Sequence, residues 1–119
     1  KPPKEIVAPR PITPAEREAV KAAIKDKMLD PSSVQFKWLP SVHEGRIYCA
    51  KFNGKNSFGG YVGFLPFLAY IDTSPAGPPT ISRVLMGERG RWGYVRMLDI
   101  VLECERAGVE LEASAEFEG

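Results

Sequence analysis

Asn53-Gly54-Lys55-Asn56-Ser57-Phe58-Gly59-Gly60-Tyr61-Val62-Gly63-Phe64 separates two apolar segments, and its reading decides how they are joined. Four glycines and three aromatics in twelve residues, with no acid, describe a binding or packing element rather than catalytic machinery. Asn53-Gly54 is a turn dipeptide. Before it, Arg46 to Phe52 reads as a strand with Ile47, Cys49 and Lys51 on one face. After it, a strand is expected from Gly60 to Asp72, apolar on both sides and therefore buried on both faces or left open on one for a partner. Pro66 inside that run predicts a bulge or an edge.

Outward from this hairpin the elements are legible. Thr13-Pro14-Ala15-Glu16 is a capping box with proline at the first helical position, so a helix is expected over 14–29, its stripe carried by Ala19 or Val20, then Ala23, Ile24 and Met28. Pro31 ends it by disfavouring helical geometry at Asp30. Val34-Gln35-Phe36-Lys37-Trp38-Leu39 alternates as a half-buried strand, and 40–45 is a connection. Ser74 to Pro79 reads as a loop and Thr80 to Met86 as a fourth strand. A second helix is expected over 92–107, with Val95, Leu98, Val101, Leu102 and Cys104 on its apolar side and Gly108 as terminator. The fold class is α+β: an N-terminal helix, an antiparallel meander of three to four strands, and a C-terminal helix packed on the sheet.

The chain of 119 residues suits one domain over 14–108, preceded by a proline-rich spacer at 1–13 and followed by an acidic tail or edge strand at 109–119. Prolines 2, 3, 9, 11 and 14 make the spacer extended. Such a segment follows a cleaved signal peptide or a lipid-attached cysteine, and an ordinary disordered end has the same composition. A net charge of +1 makes no global case for nucleic acid or membrane, and no run approaches the roughly 20 apolar residues of a membrane span. Charge is uneven: residues 1–55 hold eleven Lys or Arg against six Asp or Glu, and residues 56–119 hold five against nine. Either the halves pair with each other, or the basic one meets a partner.

Catalytic chemistry finds little support. His43 is the single histidine and sits in a turn beside Glu44-Gly45, so no Ser-His-Asp or Cys-His arrangement can be assembled convincingly. Two cysteines and one histidine do not make a usual zinc site without carboxylates. Asp72 and Glu88 could serve as an acid–base pair only if the fold brought them together. Gly54-Lys55-Asn56-Ser57 lacks the spacing of a phosphate loop, and Tyr61-Val62-Gly63-Phe64 lacks the preceding aromatic of an RNA-recognition strand. No cofactor or metal is expected. Lys55, Asn56, Ser57 and Tyr61 form the candidate binding rim, because the amides and the lysine have no packing role that the sequence makes evident. Cys49 and Cys104 each fall on an apolar face, where a disulfide and two buried thiols read alike.

Leu29-Asp30-Pro31-Ser32-Ser33-Val34-Gln35-Phe36, the strand bearing Cys49, and the run Asn53–Phe64 with Phe67 together resemble a family of small, largely uncharacterised bacterial proteins. Many of these begin with signal peptides or lipoprotein starts, and some are encoded in prophage regions. The resemblance spans about residues 14–71 and departs at Ala50, where the family often has glycine, and in the tail after Cys104. It implies a Cys49–Cys104 disulfide and a periplasmic, outer-membrane-tethered or secreted setting, and it carries no activity. The expectation is a non-enzymatic envelope or secreted domain that binds an unknown protein or envelope component. The alternative is a cytosolic prophage-derived protein that binds nucleic acid or inhibits a protein partner.

Overall fold

Thr13 opens the first helix through a reciprocal cap. Its hydroxyl accepts from the Glu16 amide at 3.1 Å, and the Glu16 carboxylate accepts from the Thr13 amide at 2.9 Å. The computed structural model describes residues 8–55, 58–61, 63–88 and 93–119, and in it α1 runs Pro14–Asp26. The helix stops three residues before the expected position 29. The amides of Lys27 and Met28 turn back to Ile24 and Lys25, tightening the last turn, and Asp30 before Pro31 sits at φ −124°. Pro31–Ser33 then forms one 3-10 turn.

The fold is mixed α+β. Strands β2 (Gln35–Trp38), β4 (Ile47–Asn53), β5 (Leu65–Ser74) and β6 (Gly77–Met86) form an antiparallel meander, and β7 (Glu116–Glu118) adds to the free side of β2. A separate two-stranded sheet joins β1 (Arg10–Pro11) to β3 (Ser41–Val42). Residues 40–45, expected as a plain connection, therefore contain a strand. Glu44 and Gly45, both at positive φ (52° and 76°), turn it back into β4, which matches the right-handed twist of a hairpin. The segment expected as a loop at 74–79 is mostly strand, because β6 already begins at Gly77. Pro66 sits near the start of a central strand, without the expected edge or bulge. The register shifts fall instead between Tyr70 and Ile71 and between Asp72 and Ser74.

Neighbouring residues of a strand face opposite ways, so Tyr48 and Cys49 mark the two sides of the sheet. On the Tyr48 side, the register aligns Phe36 with Phe52 and Ala50 with Phe67. The rings of Phe36, Trp38, Tyr48, Phe52 and Phe67 pack with centroids 4.7–6.4 Å apart. Helix α1 covers this layer, burying Val20 and Ile24 and placing the Arg17 guanidinium 5.2 Å from the centre of the Trp38 ring. The Tyr48 hydroxyl donates to the Leu39 carbonyl at 2.7 Å and accepts from the Leu39 amide at 2.9 Å, and its burial pushes the phenol well above its ordinary pKa.

On the opposite side, Cys49 is disulfide-bonded to Cys104 of α2 (Gly93–Arg106), a link spanning 55 residues. Ile100 and Cys104 are fully buried, with Met97 and Ala107 packed beside them. The sequence placed Leu98 and Leu102 on the inner side, yet they are 44% and 48% exposed. At 3.6 residues per turn they lie roughly 120° and 160° round the helix from Cys104, whose bond fixes which stripe faces the sheet. The amides of Gly108 and Val109 return to the carbonyls of Glu105 and Cys104, so Gly108, at φ 93°, terminates α2 as its position suggested. Both faces of β5 are thereby covered: Phe67, Leu68, Ala69 and Ile71 are at most 1% exposed.

The unequal charge of the two halves is brought together by the fold. Arg17 pairs with Glu116, Lys21 with Glu118, Arg46 with Asp72 and Lys51 with Glu112.

Candidate binding loop and cleft

The glycine–aromatic run leaves the sheet at Asn53 and rejoins it at Leu65. The strand expected from Gly60 starts five residues later, and the reason is local. Asn53 is buried, and its side-chain Oδ1 accepts from the Gly63 amide at 3.1 Å while its Nδ2 donates to Gln35 Oε1 at 3.5 Å. Gly63 itself stands at φ 99°, which no extended strand admits. The neck of the loop is closed a second time by an isolated antiparallel bridge between Lys55 and Tyr61.

Side chains then stitch the loop to the turn after α1. Ser33 Oγ accepts from the Lys55 amide at 3.0 Å and donates to the Asp30 carbonyl at 2.8 Å. The Tyr61 hydroxyl donates to the Ser33 carbonyl at 2.9 Å, and Lys55 Nζ lies 5.7 Å from the centre of the Tyr61 ring. The Asp-Pro-Ser-Ser turn and the glycine–aromatic run are thus one physical unit. At its tip Phe58 is 94% exposed, Tyr61 is 45% exposed, and Gly59 takes φ 81°. Of the four residues proposed for the rim, Lys55 and Tyr61 come together here, and Asn56 and Ser57 lie outside the described residues.

A cleft of about 450 Å³ opens beside the loop. Its apolar lining includes Met28 from the turn after α1, Phe52 from β4, Leu65 from β5 and Met86 from β6. A Cβ at Gly54 would collide with the Met28 methyl, so the glycine permits the thioether to lie against the loop. Lys27, Lys55, Glu88 and Arg96 supply the charges of the lining, with Arg96 and Glu88 paired at 2.8 Å. Of these residues, sequence reasoning had singled out Lys55 for binding and Glu88 for acid–base chemistry. The others belong to segments far apart in the chain, and no local pattern marks them as neighbours.

The remaining candidates are dispersed. Asp72 is bonded to Arg46 and Glu88 to Arg96, at opposite ends of the β5–β6 pair, so they are not an acid–base couple. The backbone of His43 closes the hairpin onto Ile47 with two bonds of 2.7 Å. Among the described residues, no group of three or more His, Cys, Asp or Glu is placed to hold a metal, and no helix is long and apolar enough to cross a membrane. No family model matches the chain, and no curated protein or solved structure matches it.

Proposed function

We propose that this protein is a non-enzymatic binding domain of the bacterial envelope or its exterior, acting through the 54–63 loop and the cleft beside it. The observation that carries this reading is a large aromatic, Phe58, exposed at the tip of a loop tied down at both ends. An anchored aromatic offers contact area with little ordering cost on binding, which is the property of an interface hot spot. The disulfide supports an oxidising compartment. The family resemblance at 14–71 supports the envelope. The pairing of basic with acidic halves speaks against the nucleic-acid alternative, since Arg17, Lys21, Arg46 and Lys51 already have carboxylate partners.

The test is photocross-linking in an exporting bacterial host, with p-benzoyl-phenylalanine at position 58 and, as a remote control, at Arg106 on the end of α2. A discrete adduct with an envelope protein or cell-wall component from position 58, absent from position 106, is the expected result. Equal adducts from both positions, none from position 58, or adducts with nucleic acid would overturn the reading.

A further inference from the structure

The cleft has a chemical character that narrows what it can take. Its volume of about 450 Å³ falls in the range of roughly 300–1,000 Å³ typical of small-molecule sites. Three of the hydrogen-bonding groups that line it are already engaged. Asn53 Oδ1 is occupied by Gly63, the Lys55 amide by Ser33, and the Gly87 amide by the Pro66 carbonyl at 2.8 Å. A sugar or a peptide needs such groups for its own polar atoms. The lining offers a ligand apolar surface from Met28, Phe52, Leu65 and Met86 together with the charges of Lys27, Lys55, Glu88 and Arg96.

That charge has one sign in excess. Among the described lining residues three cations, Lys27, Lys55 and Arg96, stand against one carboxylate, Glu88, which leaves a balance of +2 (three minus one). Glu88 is committed to Arg96. Among the described residues no carboxylate pairs with Lys27 or Lys55, and Lys55 rests against the Tyr61 ring.

We propose that the cleft binds a small amphiphile, its apolar body on Met28, Phe52, Leu65 and Met86 and its single anionic head, carboxylate or phosphate, met by Lys27 and Lys55. The proposal rests on the reading of this face as the binding surface and names the ligand class it accepts. A cleft of about 450 Å³ accommodates one medium-length chain.

The experiment titrates the disulfide-intact protein with four ten-carbon probes below their micellar concentrations: decanoate, decyl phosphate, decanol and decyltrimethylammonium. The methyl resonances of Met28 and Met86 report occupancy of the cleft. Saturable shifts are expected with one or both anions, which identifies the head group. Decanol should bind about tenfold more weakly, the size of two solvent-screened charge contacts, and the cation more weakly still. The variant Lys27→Gln/Lys55→Gln, both surface changes, should lower anion affinity about tenfold and leave decanol unchanged. Equal binding of anion and cation, a folded double variant with undiminished decanoate affinity, or no saturable shift would each overturn the proposal. A cross-link at position 58 without any decanoate response removes the amphiphile and leaves the binding face standing. Absence of both removes both.

Discussion

Glu16 is a carboxylate 2% exposed to solvent, and its neighbours explain why it stays charged. Arg10 donates to both of its oxygens, at 2.7 and 2.6 Å, and the Thr13 amide adds a third bond. Arg10 is the larger influence, and together with Thr13 it holds the Glu16 pKa below the usual carboxylate value against the opposing effect of burial. A depressed folded-state pKa contributes stability above the unfolded value of about 4.3, and that contribution is lost as pH falls through the folded one. Glu16→Gln keeps a cap acceptor and removes the charge. It should cost about 1–2 kcal/mol near neutral pH, with Arg10 partly exposed and its pairing screened accordingly. The gap between variant and parent should narrow as pH drops through the acidic range, as read from urea midpoints at pH 7, 5 and 3. A gap independent of pH would show that packing, and not charge, is what the residue supplies. The Thr13–Glu16 cap was legible because its spacing is four contiguous residues. Its link to Arg10 was not, since 1–13 reads as a proline-rich spacer and a two-residue strand leaves no periodic trace.

At the scale of the element, the glycine–aromatic loop separates what sequence can specify from what it cannot. Glycine density announced unusual backbone angles, and Gly59 and Gly63 have them. The apolar run from Tyr61 onward argued for strand, but apolarity says nothing about an asparagine reaching across the neck to take the Gly63 amide. The cleft was invisible for the same reason, its lining being gathered from five separate segments. Gly59 gives a clean test, because a Cβ there meets nothing within 4 Å and the whole penalty is conformational. Gly59→Val should cost roughly 1–2 kcal/mol, the penalty of a left-handed backbone for a branched residue. Thermal or urea denaturation checks this, and an unchanged midpoint would mean that the loop tip relaxes without charge to the fold.

At the scale of the molecule, one sheet separates two unlike layers: an aromatic side under α1 and a disulfide-bearing side under α2. The sequence assigned both helices and the meander strands. It could not say that the helices take opposite faces, since an apolar strand such as β5 reads the same whether its second face meets a helix of this chain or another protein. The rotation of α2 was misplaced too, because Leu98 and Leu102 are as apolar as Ile100, and the bond from Cys49 decides among them. Closing 55 residues with that bond should stabilise the fold by about 4 kcal/mol through the unfolded chain. Cys49→Ala/Cys104→Ala should show a loss of that order in urea. Thiol titration of the unfolded, unreduced parent should find neither sulfur free, and two free thiols in protein from an oxidising compartment would contradict the pairing.

Strand β7 has a consequence in time. Its Glu118 accepts from the Trp38 indole across 80 residues, and its backbone covers the outer edge of β2. A ribosome delivers β2 long before that cover exists. Until β7 emerges, the nascent sheet has an open edge beside its largest aromatic, and the sulfur partner of Cys49 is also still to come. The sheet is therefore completed only after β7 has followed every other element out. It is during this interval that the unpaired β2 edge is most exposed to pairing with a neighbour.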